Sequence, residues 1–264
     1  MKTPKINWVW LRRISQILFL ILFLFLFRKT DYTGSDEIPY AVNIFFRWNP
    51  LIAASVMLAA KEFIKLLFPA IVVLVITIVF GRVFCGWLCP MGTLLDGFSR
   101  VFPKKKRENR INISQIKYLI LFVIVISAIF GLQIVGYFDP FSILVRGFTF
   151  LIDPIFNLAT TSFFDFLYNH APDFVTSVSE PIYSFLKSTI LPYKQSFYTS
   201  TFITFLILFG IFVLEAIDKR FWCRNLCPLG GFLAIISRFS LIKRTPKKVC
   251  TDCQKCAKEC KMDA

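Results

Sequence analysis

RVFCGWLCPMGTLLDGFSR at 82–100 and RFWCRNLCPLGGFLAIISR at 220–238 are two copies of one unit. They agree at nine of nineteen positions: Arg82, Cys85, Leu88, Cys89, Pro90, Gly92, Leu95, Ser99 and Arg100 match Arg220, Cys223, Leu226, Cys227, Pro228, Gly230, Leu233, Ser237 and Arg238. Each copy carries C-x3-C-P. Two cysteines at i and i+4 cannot complete a metal site alone, but two such pairs brought together supply four thiolates, enough for one iron-sulfur cluster. The proline removes a backbone donor and fixes the turn, so the chain does not continue as helix through the site. Cys85, Cys89, Cys223 and Cys227 are therefore candidates for a shared redox or metal site. A thiol-disulfide relay, a soft-ligand copper site and plain apolar cysteines at a helix end are the competing readings.

Around these units the chain is strongly apolar: 56% of its 264 residues are hydrophobic, 32 are Phe, and the mean hydropathy is +0.64. That composition excludes an ordinary soluble enzyme. Apolar segments near 8–27, 66–84, 116–135 and 200–217 are, with their flanks, long enough to cross a hydrocarbon core that needs about 20 helical residues. The first has a basic start, but Arg28 and Lys29 follow at once with no small-x-small cleavage site, so an uncleaved anchor is expected. Asn49-Pro50 and Asp139-Pro140 each follow an outward-going span. The expected fold is an all-α integral membrane bundle, four transmembrane helices arranged as two pseudo-repeats about an axis normal to the membrane. The domains read as a first membrane repeat over 1–110, a second over 111–242 with a long outer insertion, and a small C-terminal cluster-binding segment over 243–264.

The net charge of +15 falls in short Lys/Arg blocks beside the apolar runs, at 2–13, 104–110 and 243–248. No basic helix or RNA-binding aromatic pattern accompanies them, so membrane lipid and topology explain them and nucleic acid does not. The three blocks must share one side, which the positive-inside rule makes the cytoplasm. Both termini and all eight cysteines then lie inside, where clustered thiols are more often metal ligands than bridges. Segments 28–65 and 136–199 face outward, and their Pro content, including Asp153-Pro154, predicts short interfacial helices broken by turns.

Cys250, Cys253, Cys256 and Cys260 have the spacing C-x2-C-x2-C-x3-C. This run wraps a cubane cluster: three thiolates from one tight loop reach three irons, and the fourth often ligates a second cluster. Structural zinc usually separates its cysteine pairs by a dozen or more residues. Here Lys261, not proline, follows Cys260, and the sequence stops four residues beyond it. A longer protein of which this is a truncated piece is expected.

Paired C-x3-C-P motifs beside four spans, followed by ferredoxin cysteines, resemble the membrane-bound polyferredoxins, the 4Fe-4S binding proteins typified by NapH, NosR and CcoG (RdxA). The resemblance covers most of the chain. It implies a component of a bacterial inner membrane that passes electrons between the quinone pool and a partner redox protein, as quinol dehydrogenase-like subunits do. For CcoG-like members it implies copper handling or respiratory-complex assembly instead. The lone His170 lies in an outer segment, which excludes bis-histidine haem within the bundle. Without a P-loop or a strand-associated G-x-G-x-x-G, nucleotide binding is unsupported. Glu215, at the end of the fourth span, is a weak candidate for proton transfer. Asp139 reads as a helix N-cap, and Arg82 and Arg220 as thiolate-stabilising or membrane-anchoring charges.

Overall fold

The computed structural model describes residues 8–30, 42–101, 113, 115–170, 180, 181, 183, 184 and 200–242. The ferredoxin-type run Cys250, Cys253, Cys256 and Cys260 lies outside the described residues, as do the basic loop 102–112 and most of 171–199. Among the described residues the chain is helical throughout, without strands.

The first half runs α1 (Trp8–Lys29), α2 (Asn43–Arg47), α3 (Pro50–Ala60), α4 (Pro69–Phe80), α5 (Val83–Trp87) and α6 (Pro90–Val101). The second half runs α7 (Gln115–Ile129), α8 (Val135–Phe138), α9 (Pro140–Gly147), α10 (Asp153–His170), α11 (Thr201–Ile217) and α12 (Pro228–Ile236). The halves are assembled by one scheme. α6 packs on α1 as α12 packs on α7, and each crosses to the other half, α6 against α9 and α11, α12 against α3 and α4.

Prolines start the helices where a missing N–H costs nothing. Pro50, Pro69, Pro90, Pro140 and Pro228 all occupy a first turn. Asn49 and Asp139 cap α3 and α9, Asn49 Oδ1 accepting from Leu51 N and Ile52 N at 3.1 and 3.4 Å, Asp139 Oδ2 from Phe141 N and Ser142 N at 3.0 and 3.1 Å. α4 ends at Gly81, whose φ of 75° and ψ of −150° only glycine adopts without strain.

Around an apolar core several polar residues are buried, while many large apolar side chains are exposed. Asn49, Asp139 and Glu215 are fully buried, whereas Phe63, Leu119, Phe122, Phe202 and Phe209 are exposed. Two helical stretches, Trp10–Lys29 and Pro140–Asn169, are long and apolar enough to cross a membrane. The other expected spans are shorter as helices: α4, α7 and α11 hold 12, 15 and 17 residues.

The structure corrects the expectation for 136–199 in its described part. Residues 140–170 form one continuous helical run, with a π-helical stretch over 148–152. Proline at position 154 does not break it, because the widened π turn just before it relieves the clash between the ring and the carbonyl four residues back. Nor do Asn49 and Asp139 lie at an outer surface. Both are 0% exposed, and the Asn49 amide donates to the Asp139 carboxylate. α1 serves as a ruler: Gln16 reaches Gly86, Phe23 touches Phe45, and Arg28 pairs with Asp153 at 2.6 Å. Phe141, beside Asp139, contacts both Phe45 and Phe84. The chain therefore folds back into the protein before each Asx-Pro, and the two helix starts meet just behind the cysteine turns.

Candidate metal centre

Both C-x3-C-P segments form a single tight turn ahead of a helix. In the first, Leu88 N and Cys89 N both bond to Phe84 O at 3.0 and 3.2 Å; in the second, a π-helical turn over Trp222–Leu226 closes with Cys227 N on Trp222 O at 2.9 Å. Each second cysteine caps the helix that its proline begins. Gly230 N donates to Cys227 Sγ at 3.4 Å, and the backbone N–H groups of Gly92 and Met91 act on Cys89 in the same way. A sulfur at a helix start faces oriented N–H donors, which favour negative charge there.

The glycine shared by both copies has a steric reason. A Cβ on Gly92 would lie 3.3 Å from Cys85 O, and one on Gly230 would lie 3.1 Å from Cys223 O. Both contacts are tighter than ordinary, so any larger residue would make the carbonyl of the first cysteine give by a few tenths of an ångström.

The four cysteines of the two copies share one core. Cys89 and Cys227 belong to the main buried cluster, with Cys85 and Cys223 packed against it, and all four are free thiols. Cys223 and Cys227 both feel Cys85 and Cys89 of the other half electrostatically. Burial pushes the thiols up, Cys85 to about 12, and neighbouring sulfurs add to the rise while Arg220 opposes it at Cys85, Cys89 and Cys223. Among the described residues no group of three His, Cys, Asp or Glu side chains gathers closely enough to hold a single metal ion. A cubane takes one thiolate on each of its four irons, more widely spaced than ligands around one ion. Two buried and two half-buried soft donors at two capped helix starts are the donor set such a group takes.

Charged side chains lock the turns in place, and they do so unequally. Arg220, 1% exposed and at a positive φ of 53°, crosses to the first half. Its Nε donates to Asp96 Oδ1 at 3.0 Å and its NH2 to Asp96 Oδ2 at 2.8 Å, while NH1 approaches Cys85 O at 3.5 Å. Burial works against the guanidinium charge, but the pairing with Asp96 more than offsets it, leaving the pKa above its ordinary value. Glu215, fully buried, accepts from the Ser99 hydroxyl and from Arg220 N, the latter at 2.9 Å. The matching corner is weaker: Arg82 donates to Ser237 Oγ at 3.3 Å, and Ala234 stands where Asp96 would be.

Two residues that sequence reasoning passed over act on the turns directly. Arg12 Nε donates to Gly86 O at 3.0 Å, and Lys117 Nζ donates to Arg224 O at 3.0 Å. These carbonyls occupy matching positions, one residue after the first cysteine of each pair. A basic side chain at the same place in α1 and α7 is the only signal in the sequence, and the charge rule absorbs it. His170 ends α10, away from the cysteines in the chain, and Lys219 begins the turn after α11 with its N–H on Asp218 Oδ1 at 2.8 Å.

After α12, Leu241 N and Ile242 N bond to Ile78 O and Val79 O at 2.9 and 3.1 Å, filling carbonyls that the end of α4 leaves open. The chain thus departs toward Cys250 from beside the first cysteine turn.

Residues 64–109 and 199–248 each match the family described as 4Fe-4S binding domain, so both copies match one family and each matched span contains one C-x3-C-P pair. The chain is 27% identical over 231 residues to the regulatory protein NosR of Stutzerimonas stutzeri, covering 83% of this chain and 24% of NosR. It is 27% identical over 219 residues to YccM of Escherichia coli, named as an electron transport protein, covering 80% of this chain and 47% of YccM. To the ferredoxin-type protein NapH of Haemophilus influenzae it is 24% identical over 264 residues, 94% of this chain and 73% of NapH. The chain spans about a quarter of NosR and about half of YccM. No solved structure matches it.

Proposed function

Because the chain belongs to the family of ferredoxin-type proteins that carry the 4Fe-4S binding domain, we propose that it conducts electrons along a membrane face, between the quinone pool and a partner redox protein. The observation that carries this reading is the packing of Cys85, Cys89, Cys223 and Cys227, from two copies of one unit, in and against one buried core. A cluster bound there would supply a one-electron store. The chain's own residues do the rest: Pro90 and Pro228 start the helices, Gly92 and Gly230 let them approach, and Cys89 and Cys227 receive their N–H donors. Arg12, Lys117 and Arg220 hold the turns and offset negative charge.

In this reading α1, α4, α7 and α11 are the four spans, and the exposed apolar faces meet lipid. The N-terminus, the cysteine turns and the ferredoxin segment share the cytoplasmic side. Cys250 lies eight residues past Ile242, so at ~3.5 Å per residue it can be at most roughly 28 Å from the α4 end. That tether is short enough to bring the two centres together. A cavity of about 250 Å³, lined by Leu24, Phe27, Phe148, Ile152, Phe156 and the Arg28–Asp153 pair, offers a place for a quinone head group. Twelve residues of α1 separate Gln16 from Arg28, about 18 Å of helix rise between cysteine turns and cavity. The copper or assembly-factor reading uses the same cysteines, but it calls for ligands gathered around one ion.

Anaerobically purified protein with intact iron, mixed with a menaquinol analogue, tests the quinone arm. Bleaching of the iron-sulfur absorbance is the expected result. Protein that neither oxidises the quinol nor is oxidised by the quinone overturns it.

A further inference from the structure

Two nitrogen donors beside Cys223 have no hydrogen-bond acceptor. Trp222 Nε1 and Asn225 Nδ2 are buried without a partner, in side chains 8% and 1% exposed. Buried polar groups nearly always find a partner, and one left alone costs stability, so such a pair needs an explanation. The first copy of the unit holds Phe84, which has no donor, in place of Trp222, and Trp87 in place of Asn225, so the Trp222 donor belongs to the second copy alone. Trp222 shares the buried cluster with Cys89 and Cys227, and Asn225 sits between Cys223 and Cys227 in the same π-helical turn.

A neutral thiol is a weak acceptor, whereas sulfur carrying negative charge is a strong one. Gly230 N reaches Cys227 Sγ, whereas these two nitrogens reach no cysteine sulfur, so the acceptors that fit them are the sulfides between the irons of a cluster. Resting on the reading that the four cysteines hold a cluster, we propose that Trp222 Nε1–H and Asn225 Nδ2–H donate to its sulfur atoms and raise its reduction potential. The physical basis is that an N–H···S bond strengthens as an electron arrives, stabilising the reduced state more than the oxidised one. The electron adds to the cluster without any bond in the protein breaking. Trp222 and Asn225 are positioning residues for that electron: they set at what potential the site accepts it. The carbonyl oxygen of Asn225 takes no part.

The test is a potentiometric EPR titration of the full chain, purified anaerobically, as wild type, Trp222→Phe and Asn225→Leu. Both variants keep shape and remove a donor. Each is expected to keep its iron and to shift the one-electron equilibrium of the second centre about tenfold toward the oxidised state, roughly 59 mV lower. The signal of the Cys250 centre should not move. Retained signals at an unchanged potential overturn the proposal. Should the variants lose iron, wild-type protein labelled with 15N only in the tryptophan indole and the asparagine side chain decides the matter: a 15N hyperfine coupling at the second centre supports the donors, and its absence refutes them. A wild-type iron count that accommodates only the Cys250 cluster overturns the underlying site reading, before any variant is made.

Discussion

Replacing Asp96 with alanine removes the carboxylate that Arg220 grips with two nitrogens, and leaves a guanidinium 1% exposed at the junction of the two halves. Breaking a buried pair from one side costs about 3–5 kcal/mol, because the remaining charge has lost its compensation. Arg220 also approaches Cys85 O and Gly92 O at 3.5 and 3.4 Å, and those carbonyls place the cost toward the lower end. For a chain of this length each kcal/mol moves the midpoint by about 2–4 °C, so Asp96→Ala should lower it by roughly 6–12 °C. Arg82→Met at the matching corner removes one hydrogen bond of 3.3 Å from a half-buried residue, worth about 1 kcal/mol and a few degrees. The double change Asp96→Leu/Arg220→Met should recover much of the loss, since apolar side chains of similar volume replace buried pairs well. Thermal unfolding in detergent, followed by tryptophan fluorescence on the apo protein, measures all three. If Asp96→Ala costs no more than Arg82→Met, the unequal locking of the two halves is wrong.

Gly230→Ala should lower iron at the second site more than Gly92→Ala, because its Cβ meets the cysteine carbonyl at 3.1 Å instead of 3.3 Å; iron per chain measures this. In the apo protein the Cys85 thiol, pushed up to about 12, has far less thiolate at pH 8 but a more nucleophilic one, so it should react with iodoacetamide roughly 30- to 60-fold more slowly than an ordinary thiol, and mass spectrometry of peptide modification rates reads it. Phe148→Trp, which narrows the apolar cavity near Arg28, should slow reaction with the quinol analogue while leaving iron content unchanged; an unaltered rate places quinone elsewhere. Glu215→Gln can keep both bonds, because the Ser99 hydroxyl and Arg220 N donate to one oxygen, Oε1; it should cost no more than about 1 kcal/mol, the difference between a charged and a neutral acceptor, and leave the pH profile of quinol oxidation unchanged if the carboxylate is purely structural.

The repeat and its cysteines were legible because C-x3-C-P is short, local and duplicated, and a duplicated local motif implies a matching place in each half. Asn49 and Asp139 were legible as a related pair, and Asp139 as a helix cap, but not as partners of each other. A hydropathy window averages over about 20 residues and merges a helix that starts inside the protein with the loop that leads to it, so a fold-back of this kind looks like an outer segment. Proline at 154 misled for a related reason: the rule that it breaks a helix assumes α geometry, and here a π turn absorbs it. Arg12 and Lys117 carry no motif, since a basic residue near a helix end looks the same whether it faces lipid headgroups or a carbonyl in a cysteine turn. The inequality between Arg220–Asp96 and Arg82–Ser237 was present in the aligned copies as Asp96 against Ala234, yet only the packing of α6 against α11 gives that difference a partner.

Iron and acid-labile sulfide counts with EPR of the dithionite-reduced protein, comparing wild type with the Cys85→Ser/Cys223→Ser double variant, test the shared centre most directly. The account predicts that the variant loses one distinct iron-sulfur signal while the signal of the Cys250 cluster persists. Unchanged iron, with bound copper or reactive thiol lost instead, would contradict it.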